Sequence, residues 1–171
     1  MSDHFPNQAD PFLLASSAAT VDHSFTIKEF ERVATLLLEQ SGTVTVHLRF
    51  GVDGAQIPFL SGALSVNLQI PCQRCMEAMT VPVESSFNMG LIRSEDESKL
   101  LSEQYEPLLV DGKAFSLLEF VEDELILAIP VVVTHEPDEC SASRYLQDST
   151  VIEDGKEREN PFQILQHLKS D

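Results

Sequence analysis

Residues 64–76 read LSVNLQIPCQRCM and combine a strand pattern with a pair of cysteines. Apolar and polar residues alternate along the first half, with Leu64, Val66, Leu68 and Ile70 set against Ser65, Asn67 and Gln69. This period of two is typical of a half-buried β-strand. The strand runs directly into Cys72 and Cys75, whose Cys-x-x-Cys spacing is typical of a tight metal-binding turn. The fold is therefore expected to be organised around this turn.

A second ligand-rich segment lies about 60 residues later, where residues 135–140 read HEPDEC. The two segments together contain all three cysteines of the chain and one of its five histidines. Zinc prefers four such ligands in a tetrahedral array, and a shell without an open position is structural. We therefore predict one structural zinc held by Cys72, Cys75, His135 and Cys140. The alternative is that the thiols are buried as small apolar side chains.

The Cys-x-x-Cys pair has a redox interpretation as well. A thioredoxin-like pair requires its first cysteine at a helix N-terminus, where the helix dipole lowers the thiol pKa. After Cys75 the sequence returns to period two and includes Pro82, which favours a hairpin over a helix. The pattern thus argues against a redox pair.

Alternating and helical patterns on either side of the turn predict the fold class. Two further strands are predicted from the inward-pointing sets Val44, Val46, Leu48 and Phe50, and Met79, Val81, Val83, Phe87 and Met89. Short strands are expected at residues 106–110 and 131–133. We predict an α+β fold in which a small antiparallel sheet, a meander with barrel-like closure as an option, is covered by an N-terminal and a central helix.

Both helices are predicted from capping boxes, in which a hydroxyl and a carboxylate three residues apart satisfy backbone donors. The first box, Thr26 to Glu29, precedes apolar residues at helical spacing as far as Leu38. The second box, Ser116 to Glu119, begins an apolar helix that Pro130 ends.

The chain length suits one domain covering residues 1–171. Residues 1–25 are expected to form an N-terminal arm, with residues 12–14 as a short extended stretch, and residues 26–135 the α+β core. Residues 136–159 are acidic and predict a mobile segment. Residues 160–169 begin with Asn160 and Pro161, a helix-start signal, and predict a C-terminal helix or docking peptide. The sequence leaves the oligomeric state open.

Charge limits the classes of partner. With 28 acidic and 11 basic residues the formal charge is -17, which repels phosphate backbones and attracts basic proteins. Glu119, Glu122 and Asp123 stand at i, i+3 and i+4, so they share one side of the central helix. This set is either a solvated stripe or a binding surface for a basic partner.

Two other function classes receive less support from the residues. Direct RNA binding would use Arg74 together with Arg49 or Lys113, if these cluster. An enzyme would need a nucleophile beside an oriented base, and Cys140 with His135 lies in an acidic segment that disfavours a thiolate. No triad or metal-carboxylate motif is visible in the sequence.

The compartment is predicted from the cysteines and the N-terminus. An odd number of cysteines fits a reducing compartment better than a disulfide framework. Residues 1–10 lack the pattern of a signal peptide, and no apolar run approaches the roughly 18 residues of a membrane span. A cytoplasmic protein without membrane contact is expected.

Five blocks in a fixed order carry a family resemblance across nearly the whole chain: Cys72-Gln73-Arg74-Cys75, Tyr105-Glu106-Pro107, residues 121–130 (VEDELILAIP), residues 135–140 and Asn160-Pro161-Phe162. In this order they resemble the bacterial large ribosomal RNA subunit accumulation protein (YceD) family. The resemblance implies a cytosolic, non-enzymatic factor for synthesis, processing or stability of large-subunit (23S) rRNA in ribosome biogenesis. With this charge, its expected partner is a basic ribosomal or rRNA-processing protein, and direct RNA binding through a zinc knuckle is the alternative.

Overall fold

Five strands form one open sheet in the order β2-β3-β4-β5-β6. Their bounds are β2 Thr20–Thr26, β3 Thr43–Val52, β4 Pro58–Pro71, β5 Ala78–Ile92 and β6 Glu106–Leu109. The three strands predicted from period-two alternation are β3, β4 and β5, which pair as an antiparallel meander. Their inward side chains form the core, with Val46 opposite Leu64 and Leu68 opposite Val81. The predicted α+β class and meander are confirmed.

This computed structural model describes residues 5, 7–110 and 115–147. The chain divides into two compact units, Met1–Cys140 and Ser141–Asp171. In the second unit the described part includes a short helix, Arg144–Gln147. The predictions for residues 148–159 and 160–169, and for Lys113, lie outside the described residues.

Two features of the sheet differ from prediction. The sheet is not closed, so the barrel-like option is wrong, and β6 runs parallel to β5, so the sheet is mixed. The reason lies in residues 93–105, which fold back over the end of β5 before β6 begins. Leu101 packs so closely over Gly90 that a Cβ there would come within 2.7 Å of it. The Tyr105 hydroxyl then donates to Asp53 at 3.1 Å.

The described residues of the predicted N-terminal arm form regular elements. They contain β1 (Gln8–Ala9), helix α1 (Pro11–Ser16) and the edge strand β2. Asp10 caps α1 by accepting the Phe12 backbone N–H at 2.9 Å. The stretch 12–14 is therefore helical, not extended. β2 escaped the sequence pattern because His23 stands at one of its inward-side positions and only Phe25 is fully buried.

The predicted N-terminal helix is much shorter than expected. The Thr26 backbone N–H donates to the Glu29 carboxylate at 2.7 Å, so this half of the predicted capping box forms. It begins only a 3-10 turn, Ile27–Glu29, followed by the one-turn helix α2, Glu31–Ala34. The chain then turns extended, because the Leu38 backbone N–H donates to Gln69 of β4 at 3.0 Å.

The central helix α3 spans Leu117–Ala128, as predicted, and ends before Pro130. Ser116 caps it, accepting the Glu119 backbone N–H at 3.2 Å. Its buried face covers the sheet, where the rings of Phe120 and Phe87 pack edge to face with their centres 5.2 Å apart. Just before it, β7 (Phe115–Ser116) pairs with β1 as a separate two-stranded sheet. None of the helices in the described ranges is both long and apolar enough to cross a membrane.

Candidate metal centre

Cys72 and Cys75 lie in the turn that joins β4 to β5. The Cys72 backbone N–H donates to the Glu77 carbonyl at 2.9 Å, and the Met76 N–H donates to the Cys72 carbonyl at 2.8 Å. Met76 closes the turn with a positive φ of 63°. The predicted hairpin is therefore confirmed. Because no helix begins at Cys72, the helix-dipole activation of a thioredoxin-like pair does not operate here.

The segment that follows α3 is fastened to this turn by Gln73. The Gln73 backbone N–H donates to the Val133 carbonyl at 2.8 Å, and its side-chain amide donates to the Val131 carbonyl at 3.1 Å. The predicted strand at residues 131–133 is wrong, because its backbone bonds to a turn and a side chain and not to a neighbouring strand. Val133 is nevertheless buried, and it brings His135 to the turn.

Residues 136–140 complete the cluster. The Glu139 backbone N–H donates to the Glu136 carbonyl at 3.0 Å and closes a turn. Cys140 follows this turn and is buried. The first five residues of the predicted acidic segment thus contain a turn that ends at a buried cysteine.

The four predicted ligands meet. The ligand atoms of Cys72, Cys75, His135 and Cys140 all lie within 4.8 Å of one another, and Cys75 Sγ is 3.3 Å from His135 Nδ1. Zn–S bonds of about 2.3 Å in a tetrahedron place two sulfurs about 3.8 Å apart, so a small contraction would give coordination geometry. Three thiols and an imidazole also form a donor set that suits a soft or borderline metal ion. These four residues could therefore hold a metal ion.

The surroundings of Cys72 favour the thiolate, which is the metal-binding form of cysteine. Burial raises the pKa of this thiol, but backbone N–H donors from Cys75, His135 and Arg74 outweigh burial and lower the pKa to about 6. Two of these donors lie 3.4 Å from the sulfur. The Cys75 thiol, by its hydrogen bond, raises the pKa of His135 despite the opposing effect of burial. The turn thus carries donors that hold negative charge on Cys72.

A closed shell of four protein ligands leaves no position for a substrate. An ion held by all four residues would tie the β4–β5 hairpin to the chain beyond α3, which lies about 60 residues away in sequence.

The acidic face of α3 is built differently from its prediction. Glu122 is only 7% exposed, and its carboxylate accepts the Arg32 Nε–H at 2.9 Å. It also accepts the backbone N–H groups of Arg32 and Val33, at 2.7 and 3.2 Å. The Asp123 carboxylate accepts a hydrogen bond from Arg32 Nη1 at 2.6 Å, and the Glu119 carbonyl accepts one from Nη2 at 3.3 Å.

Arg32 is the functional neighbour that sequence reasoning missed. Its guanidinium neutralises part of the acidic face, and the Glu122 carboxylate satisfies backbone donors at the start of α2. The only sequence signal was a lone arginine after the first capping box, about 90 residues away from Glu122. Partner binding by Glu119, Glu122 and Asp123 stays a prediction, with Glu119 and Asp123 as its exposed members.

The arginines of the RNA-binding alternative do not cluster. Arg49 pairs with Ser61 of β4, whereas Arg74 lies in the turn beyond Pro71, ten residues further along that strand. At about 3.3 Å per residue, this separates the two by roughly 30 Å. Arg49 instead lies over the Phe59 ring, 5.2 Å from its centre. The condition for a joint basic surface is therefore not met by this pair.

Comparison with known proteins places these features in a family. A family model described as "Large ribosomal RNA subunit accumulation protein YceD" matches residues 60–169, a range that contains all four cluster ligands. A protein of the same description from Haemophilus influenzae is 30% identical over 166 residues, which cover 96% of this chain and 95% of that relative. No solved structure matches the chain significantly.

Proposed function

Because the chain belongs to the large ribosomal RNA subunit accumulation protein YceD family, we propose that it is a non-enzymatic cytoplasmic factor that sustains large-subunit (23S) rRNA in bacterial ribosome biogenesis. The observation that carries the proposal is the family match, which spans both halves of the metal cluster. The relative from Haemophilus influenzae, aligned over nearly its whole length, bears the same description.

One structural zinc ion is the proposed occupant of the cluster. Three thiolates with one imidazole suit zinc, and four protein ligands suit a structural site. The ion would clamp the β4–β5 turn to residues 135–140 and so stabilise the surface around them. This role needs no reaction at the metal, in keeping with a factor that acts by binding.

The proposed partner is a basic ribosomal or rRNA-processing protein. A chain with a formal charge of -17 attracts cationic partners and repels phosphate. On α3, Glu119 is exposed toward a partner's lysine or arginine, while Asp123, also exposed, and the buried Glu122 are both paired with Arg32. Direct RNA binding is less favoured, because Arg49 of β3 lies opposite Ser61, near the start of β4, whereas Arg74 lies beyond the end of β4.

The test is depletion of the protein in cells, followed by measurement of both ribosomal subunits and both large rRNAs. We expect a selective deficit of large subunits and 23S rRNA that the wild-type gene restores. Cys72→Ser should restore poorly, because the clamp loses a ligand. Glu95→Gln, an exposed acid far from the cluster in sequence, serves as the matched control and should restore fully. An unchanged subunit ratio after depletion would refute the proposed function.

A further inference from the structure

A solvent-exposed apolar patch lies beside the metal cluster. Val131 and Val132 are 91% and 70% exposed, and Met76, at the end of the Cys72–Cys75 turn, is 70% exposed. We name these three residues the knuckle patch. They come from two segments that Gln73 fastens together, through its hydrogen bonds to the carbonyls of Val131 and Val133.

The exposure is a consequence of how the segment is held. Val133 is buried, and Gln73 holds the segment by donating its backbone N–H to the Val133 carbonyl and its side-chain amide to the Val131 carbonyl. In this arrangement Val131 and Val132 remain exposed. Single exposed apolar residues are common on protein surfaces, but apolar residues gathered from two fastened segments are typical of an interaction site.

Charge around the patch identifies the chemistry of what would cover it. His135 and Cys140 both belong to the metal cluster, so the loop between them is anchored at both ends beside the turn. Its three acids, Glu136, Asp138 and Glu139, are all exposed. The two segments that carry the patch, residues 72–77 and 131–140, contain four acids and one basic residue, Arg74. Exposed apolar residues in such an acidic surrounding are complementary to a segment that carries both apolar and cationic side chains.

We propose that the knuckle patch docks a cationic amphipathic segment of a protein partner. The apolar side chains of the segment would contact Met76, Val131 and Val132, and its lysines or arginines would face the acids of residues 136–139. Such a segment presents apolar anchors at helical spacing, as in helix-in-groove recognition. This inference rests on the proposed function, and it specifies where the basic partner binds and by which side chains.

The experiment uses the full-length, zinc-loaded chain and a fluorescein-labelled 18-residue helix of leucine and lysine with one apolar face. A shuffled peptide of the same composition has no such face. By fluorescence anisotropy, we expect the patterned peptide to bind at least about tenfold more tightly. The double variant Val131→Ser/Val132→Ser should lose at least about tenfold in affinity, which corresponds to about 1.4 kcal/mol and requires only partial covering of the two valines.

Matched variants separate the patch from general effects. Leu100→Ser removes a side chain that is 79% exposed and lies in the Glu95–Leu100 turn, and it should bind as the wild type does. Neutralising the loop with Glu136→Gln and Glu139→Gln should weaken binding and flatten its salt dependence. Circular dichroism and metal content check that each variant is folded and loaded.

In the binding assay, the inference would be overturned by equal affinity for both peptides, by an equal loss in Leu100→Ser, or by binding of a polyuridine strand that depends on the valines. Its failure is distinguishable from failure of the proposed function. If the valine variant loses peptide binding yet restores 23S rRNA in depleted cells, the docking inference fails alone. If depletion leaves 23S rRNA unchanged, the proposed function fails whatever the peptides do.

Discussion

Replacing Glu122 with alanine tests how the N-terminal part of the chain is joined to α3. The buried carboxylate accepts one guanidinium donor and two backbone N–H groups, at 2.9, 2.7 and 3.2 Å. In Glu122→Ala the Val33 N–H stays buried without this acceptor, which costs about 1–3 kcal/mol. The Arg32 backbone N–H is only partly buried and can bond to water instead, so the loss of its bond to Glu122 adds little to the free energy cost. We expect the free energy of unfolding to fall by about 2–3 kcal/mol.

Urea unfolding followed by far-UV circular dichroism measures this change, since the chain has no tryptophan to report it. Glu122→Gln keeps an oxygen for the backbone donors and should lose about half as much. Glu119→Ala, on the exposed side of the same helix, is the control and should stay within about 0.5 kcal/mol of the wild type. Arg32→Ala combined with Glu122→Ala should cost less than the two separate losses added together. A Glu122→Ala protein as stable as the Glu119→Ala control would refute the reasoning.

Three further perturbations follow from the metal cluster, a turn and a glycine. Under reducing conditions the purified protein should carry about one zinc per chain by metal analysis, and Cys72→Ser should lower both the zinc content and the thermal midpoint; a zinc-free wild type would contradict this. The backbone N–H of Ile57 is the main group that lowers the pKa of Asp53, whose ordinary value is 3.8. Since its folded pKa is depressed, the stabilisation is present above about pH 4 and is lost as pH falls through the folded value, so the urea midpoints of Asp53→Asn and wild type should differ at pH 7 and converge at low pH; a constant difference at all pH values would exclude the carboxylate. In Gly62→Ala the new Cβ would meet a neighbouring phenylalanine ring at 2.6 Å and a backbone oxygen at 2.8 Å, which should cost about 1–3 kcal/mol, whereas Gly54→Ala has open space and should be near neutral; equal urea midpoints for the two variants would show that the core yields.

The elements that were predictable are those specified by neighbouring residues. β3, β4 and β5 follow from period-two alternation, and α3 follows from its Ser116 cap and the proline after it. The prediction of a long N-terminal helix was wrong, although the apolar residues there have helical spacing. Its apolar residues Phe30 and Val33 are buried as expected, but the backbone beyond α2 gains a partner in Gln69 of β4. Local periodicity could not register that competing partner, since it lies about 30 residues further along the chain.

The candidate site also has a part that the sequence predicts and a part that depends on long-range contacts. Residue type and spacing were enough to single out Cys72, Cys75, His135 and Cys140 as candidate ligands, because soft donors are rare in this chain. The acidic face of α3 was predictable as a set of charges, but its neutralisation by Arg32 was not. An ion pair between residues about 90 positions apart leaves no periodic trace in sequence.

By itself the sequence determined the strand alternation, the central helix, the acidic charge and the candidate set of soft ligands. Only the tertiary structure decided that the two ligand segments meet, that β6 joins the sheet in parallel and that Glu122 turns inward to Arg32. The physical reason is range: caps and periodicity act over a few residues, whereas these contacts depend on the path of the chain over tens of residues.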